Sequence, residues 1–395
     1  MFGFGLKKTA PQSADRHRLV GVEVSSASVR AVAVAVGGVR TLHLDDPNEE
    51  LPLVVALDRR PVQLGHAALG RVRIVPHAVV ANFLPLVGTQ NEWRGERLTL
   101  TPDDALEECL TAARPALEAE ADAAGLVLPG YLSAKQVRSV LQLATSARWP
   151  VRGSASAPLA IASHRAPGLT AAVPGVDPTV MVIDADDHAI SAALIAVGTD
   201  EVKLLASTAV PKTGTKVWKD RLIDGLSDRC VRTCRRDPRD SAAAEQGLYL
   251  QLDDALTAAR DGHRVTLGVR SEKWYQDLTV TPDEFKNICD AVNRTAIDGL
   301  KQFLLTAPLA VPPRVVWLTA AAGRLPGLAA KIHKNSPEQT KVSLLPANAA
   351  AEAAAALVHR WQTGHLPRVH LDASIPHARR LDVGRDPTAK ALPAN

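Results

Sequence analysis

A chain of 395 residues with an apolar fraction ordinary for a folded protein is long enough for two or three domains, each with its own core. Its net charge is only +4 with acids and bases interspersed, and no segment reaches the roughly 20 apolar residues of a membrane-spanning helix, so neither nucleic acid nor membrane is expected as a partner. Cys109, Cys230, Cys234 and Cys289 form neither a zinc-type pair of doublets nor a secreted disulfide framework, and the expected compartment is the cytoplasm.

Residues 1–17 contain no apolar run of signal-peptide length and read as a flexible N-terminus. Leu19 to Val24 and Val29 to Val36 are β-branched runs on either side of a serine-rich turn, which predicts a hairpin, and further strands are expected at Leu51 to Leu57 and Pro61 to Leu64. A helix opens at Thr101, the natural N-cap, with Pro102 in the first turn and Asp104 at the capping-box position; its apolar stripe predicts a run to Ala124, disturbed near Pro115. A strand at Gly125 to Pro129 and a helix around Ala134 to Ala147 follow.

The second half repeats this grammar. Val180 to Asp184 is a strand that turns into a second strand, Ile190 to Val197, and a later helix opens through Thr281, Pro282 and Glu284 as the earlier one does through Thr101, Pro102 and Asp104. Glu23 and Asp184 end equivalent strands, the pattern of an internal duplication. Cys230 and Cys234 share a helix face, and the basic run Arg229 to Arg239 reads as a solvated helix end. Arg314 to Thr319 is a last strand, Asn348 to Trp361 a helix of nearly all alanine, and the Pro/Arg/Asp-rich stretch from Gly364 on reads as a disordered tail.

One stretch concentrates chemistry: Asp184-Ala-Asp-Asp-His188, at the carboxyl end of a buried strand. Three readings stand beside each other. Aspartates are common in solvated turns; clustered carboxylates suit hard cations; and strand-then-D-x-D is similar to the nucleophile loop of haloacid-dehalogenase phosphotransferases, with Asp184 attacking phosphorus. No nucleophile elbow, P-loop or metal-ligand helix occurs elsewhere, and His164, His263 and His359 are isolated in sequence.

Seven segments in colinear order carry a family resemblance. VGVEVSSASVRAVAV resembles a V-G-I-D-L-G-T-T-N-S opening, and PLVVALDRRPVQLGHAALGR resembles P-S-V-V followed by a G-x-A-A run. VLPGYLSAKQVRSV and the later SAPLAIA are similar to V-P-A-Y-F, a helix, and E-P-T-A-A-A-L-A. VMVIDADDHAISAAL resembles F-D-L-G-G-G-T-F-D-V-S, GTKVWKDRLI resembles G-G-x-D-F-D-x-R-L, and VVWLTAAAGRLPGL resembles L-V-G-G-S-T-R-I-P. Together they resemble the nucleotide-binding domain of the seventy-kilodalton heat-shock chaperones of the DnaK type. The resemblance implies an α/β, actin-like ATPase fold: two duplicated RNase H-like lobes around a central cleft, lobe I over 18–165 and lobe II over 176–363 with a helical subdomain about 212–310. The family continues into a peptide-binding β-sandwich; here the expectation departs from it, a disordered tail over 364–395 with no such domain.

The departures from the family bear on function. Its glycine-rich hairpin tips bring backbone N–H groups to the phosphates. The first tip here is Ser25-Ser26-Ala27, preceded by Glu23 in place of Asp; in the second, glycines fall on Asp186, Asp187 and His188, the Thr on Ala189 and the second Asp on Ser191. Unit charges ~5 Å apart at an effective dielectric of ~20 repel by roughly 3 kcal/mol, so an acidic pair facing a triphosphate opposes binding. By the same alignment a phosphate-contacting Lys falls on Leu84, a Glu on Ala157, the adenine-sandwiching Lys and Arg near Leu256 and Thr257, a Gly pair on Ala320 and Ala321, and a later Asp and Gly on Ala347 and Ala353. Asp184, Pro129, Arg324 and Glu23 remain. The expectation is a non-catalytic binding or scaffold subunit without a cofactor, its vestigial cleft formed by Ser25, Ser26, Pro129, Asp186, Asp187 and Arg324. Its expected partner is a related chaperone-like protein, a co-chaperone or a larger complex. The alternatives are a slow ATPase that binds ATP and Mg through Glu23, Asp184 and Arg324, and a phosphotransferase using Asp184.

Overall fold

In the computed structural model the described residues are 18–35, 37–95, 98–170 and 174–377. The expected N-terminal segment 1–17 lies outside them. The chain builds two mixed sheets with one strand order. In the first, β1 (Leu19–Val24), β2 (Ser28–Ala35) and β3 (Gly38–Thr41) form an antiparallel meander, and β4 (Ala123–Leu128) and β5 (Val151–Ser156) join parallel beyond β1, giving β3-β2-β1-β4-β5. In the second, β6 (Thr179–Ala185), β7 (Ile190–Val197) and β8 (Glu201–Val210) form the meander, and β9 (Val315–Leu318) and β10 (Lys341–Leu344) join parallel beyond β6, giving β8-β7-β6-β9-β10. The protein is therefore a mixed α/β fold with a duplicated topology. β4 is buried at all six positions, as a central parallel strand covered on both faces must be.

The crossovers are helices with local start signals. Helix α1 (Pro102–Glu120) is closed by the Thr101/Asp104 capping box, and α2 (Ala134–Ser146) by an equivalent box between Ser133 and Gln136. α1 passes through Pro115 but stops short of Ala124. The backbone of Ala123 and Ala124 is claimed by the ladders to β1 and β5, so the chain turns extended at Ala121. In the second half of the chain α4 (Thr215–Cys234), α5 (Ala242–Leu250) and α6 (Leu252–Arg260) pack on a two-stranded hairpin of Val265–Arg270 and Tyr275–Val280.

Between the two sheets lie α3 (Ala157–Arg165) and the alanine-rich helix Ala349–Gln362, packed on each other and joined to residues of both sheets in one apolar core. Gly21, Gly125 and Gly153 stand in register on three adjacent parallel strands, and a Cβ at Gly21 would lie 2.0 Å from the carbonyl oxygen of Ala351. At Gly125 and Gly153 it would lie 2.8 and 2.5 Å from the Trp361 ring. The glycines make a floor on which a helix of alanines sits with its backbone almost on the sheet.

The expected tail from Gly364 is folded over its first part. β11 (His370–Leu371) adds parallel to β5 of the first sheet, and β12 (Ser374–Pro376) adds antiparallel to β8 of the second, so one short strap edges both sheets. Leu366, Leu371 and Ile375 bury into the core between the sheets, which is what holds a stretch without periodicity in place. Residues 378–395 lie outside the described part. Among the described residues no helix is long and apolar enough to cross a membrane.

Candidate functional site

The two hairpin tips, Ser25-Ser26-Ala27 after β1 and Asp186 to Ala189 after β6, meet where the lobes face each other. They are zipped together by a carboxylate. Asp186 is 3 % exposed, and its Oδ2 accepts the backbone N–H of Ser26 at 3.1 Å, while its Oδ1 accepts those of His188 at 3.0 Å and Ala189 at 3.2 Å. The Tyr131 hydroxyl donates to the same Oδ2, and Ser26 Oγ accepts the His188 N–H at 2.9 Å. Burial, then the charge of Asp186, push the Tyr131 phenol well above its ordinary range, so it stays a donor. Backbone N–H groups converging from two tips are the usual means of holding an anion; here the anion belongs to the chain.

This overturns the solvated-turn reading of Asp184 to His188, because the central acid is buried and saturated with donors. It also corrects the picture of an acidic pair facing one ligand. The pair diverges: Asp186 fills the junction of the tips, while Asp187 accepts from the Thr215 hydroxyl at the start of α4 (Thr215–Cys234) and faces the cleft.

Above the zipper the cleft narrows to a cavity of about 90 Å³ lined by Glu23, Asp184, Asp187, Lys219, Asp253 and Arg324, with Ser25, Leu69, Ala320, Ala321 and Ala347 also on its wall. Pockets for drug-sized ligands run to ~300–1,000 Å³. The volume is taken up by ion pairs. Lys219 Nζ lies 2.6 Å from Asp253 Oδ2 and Arg324 Nη1 lies 3.2 Å from Asp253 Oδ1, while Arg30 donates from Nε to Glu50 at 2.8 Å and from Nη1 to the Ala347 carbonyl at 3.1 Å. Burial opposes both charges of the Lys219–Asp253 pair, but their mutual attraction, with Arg324 assisting, leaves Asp253 below and Lys219 above its ordinary range.

The remaining carboxyls are less well served. Glu23 is raised to about 7 by burial and then by the neighbouring Asp184; Arg30 offsets only part of this. Asp184 accepts from the Thr319 hydroxyl at 2.6 Å and is still raised, again chiefly by burial, as is Asp187. All three line the narrow cavity, and burial is the first cause of each upward shift. Among the described residues no group of three or more His, Cys, Asp or Glu is placed to hold a metal ion.

Of the residues singled out in the sequence, Glu23, Ser25, Asp184, Asp187 and Arg324 line the cavity, and Ser26 and Asp186 lie in the zipper. Pro129 does not reach it: it is buried, and its carbonyl accepts from Leu132 N–H in the turn that presents Tyr131. Leu84 is buried in the lobe I core, and Leu69 stands on the cavity wall instead. Ala157 merely opens α3, and Leu256, on α6 (Leu252–Arg260), lines a separate pocket of about 240 Å³ with Arg260, Phe285 and Gly323. Tyr131, Lys219, Asp253, Arg30 and Glu50 went unpredicted, since each acts on a partner distant in sequence. No protein-family model matches the chain, and no curated protein matches its sequence.

Proposed function

We propose that this chain is a relative of the nucleotide-binding domain of the heat-shock chaperones, an actin-like pair of RNase H-like lobes, that works as a non-catalytic binding or scaffold subunit. The duplicated order of meander plus two parallel strands, with each hairpin tip directed at the cleft, supports the fold. The observation that carries the function is the Asp186 carboxylate seated on the N–H groups of both tips, the position in which this fold would hold a phosphate. The 90 Å³ cavity above it agrees. The partner in this reading is a related chaperone-like protein, a co-chaperone or a larger complex, which meets a surface whose shape no nucleotide sets.

Calorimetric titration of the full chain with ATP and Mg is the test. No heat of binding is expected up to millimolar nucleotide; micromolar binding with measurable hydrolysis would favour the slow ATPase and overturn the proposal. Replacing Asp186 and Asp187 by glycine separates the readings further. A cryptic nucleotide binder gains affinity sharply, whereas here little gain is expected, because Lys219, Asp253 and Arg324 still fill the cleft.

A further inference from the structure

The cleft is closed at its outer mouth by contacts that belong to neither sheet. The loop Leu69 to Arg73, from the outer part of lobe I, lies on α4 and α5 (Ala242–Leu250) of lobe II. One buried side chain, Gln246 on α5, bridges the two ends of the loop: its Oε1 accepts the Arg73 N–H at 2.7 Å and its Nε2 donates to the Leu69 carbonyl at 3.0 Å. The Arg73 guanidinium is held by the Asp220 carboxylate, lies 3.4 Å from Glu245 Oε1 and stands 4.9 Å from the centre of the Tyr249 ring. Leu69 and Val72 pack on the lobe II core, and Leu69 and Tyr249 together form part of the cavity wall.

We infer that the Leu69–Arg73 loop is a clasp: Gln246, Asp220, Glu245 and Tyr249 grip it directly and keep the lobes shut at the mouth. The two ends of the cleft differ in kind. At the base the lobes share an apolar core and a strap, which cannot part without exposing Leu371, Ile375 and Trp361. At the mouth the contact is mostly hydrogen bonds and ion pairs, which water replaces on opening, so the base is the hinge and the clasp is the element that opens. Gln246 gives the clasp register, because its amide oxygen and nitrogen are separate acceptor and donor atoms and engage two backbone groups four residues apart. The inference needs no particular ligand and does not depend on the function proposed above.

The experiment uses the full chain with Cys234→Ser and spin labels on Glu92→Cys in lobe I and Glu272→Cys in lobe II, both exposed. The parent should give one narrow distance distribution. With Arg73→Ala plus Gln246→Ala the distribution should move to longer distances and broaden, and the amides of residues 185–190 should exchange about tenfold faster. Arg73→Ala alone, which leaves the buried amide in place, should move both readouts in the same direction by less, and serves if the double variant does not fold. An unchanged distribution and unchanged exchange in a folded variant would overturn the clasp. So would a lower unfolding midpoint without any longer distance, since that is what a merely stabilising contact predicts.

Discussion

At the end of β1 the Glu23 carboxyl shares its cavity with Asp184, and Arg30, the nearest cation, is engaged by Glu50 and the Ala347 carbonyl. Its ionisation in the fold is raised from 4.5 to about 7, so the folded chain binds the proton more tightly than the unfolded one. The stability this contributes is full below pH 4.5 and is lost as pH rises through 7. Glu23→Gln removes the dependence; at pH 8 the variant should be more stable than the parent by roughly 3 kcal/mol, and at pH ~4 the two should nearly coincide. Urea unfolding at the two pH values measures it, and parallel pH profiles would refute it. The pairing of Glu23 with Asp184 was legible because both end equivalent strands of a repeated unit. The fate of Asp186 was not, since one of its donors, Ser26, lies 160 residues away. Lys219 and Asp253 likewise sit on two different helices, α4 and α6 (Leu252–Arg260), with no local pattern tying them.

Helix boundaries were readable wherever the signal is local. The capping boxes at Thr101 and Thr281 form as read, the second opening a short helix, Pro282–Ile288, ahead of α7 (Asp290–Thr306). The alanine-rich helix, numbered α9 after α8 (Leu328–Asn335), begins and ends within one residue of its expected bounds. Why it is alanine was not readable, because the floor it needs is assembled from Gly21, Gly125 and Gly153 on three strands brought together only by folding. The cost of disturbing that floor is large and specific. Gly21→Ala sets a methyl against helix backbone, which no side-chain rotation relieves, and should destabilise by about 3 kcal/mol or more. Gly247→Ala, inside α5 with nothing within 4 Å of the added methyl, should instead stabilise by up to ~1 kcal/mol. Urea midpoints of the two variants on either side of the parent would bear this out; equal effects would not.

For the whole molecule, the apolar core between the sheets makes the lobes one cooperative unit, and the strap is its last piece. β11 and β12 are two and three residues long, too short for alternation to show in sequence, and only Leu366, Leu371 and Ile375 hint that the stretch is held. Ile375 is fully buried, and Ile375→Ala should cost about 3 kcal/mol. Because the tryptophans include Trp149 in the first lobe, Trp218 in the second and Trp361 between the sheets, fluorescence and far-ultraviolet circular dichroism should shift together to a lower midpoint. Two separated transitions would mean that the lobes fold independently.

The Asp186 plug has a consequence for what the surroundings can tell this protein. A tethered carboxylate meets its N–H cradle at an effective concentration of molar order, ~1 M or above, whereas any dissolved anion must compete at its bulk level. The junction of the lobes is thus occupied by something the cell cannot withdraw. Under the function proposed above, a partner docking on these lobes would meet one fixed contour at this junction, where a metabolite-reading site would vary.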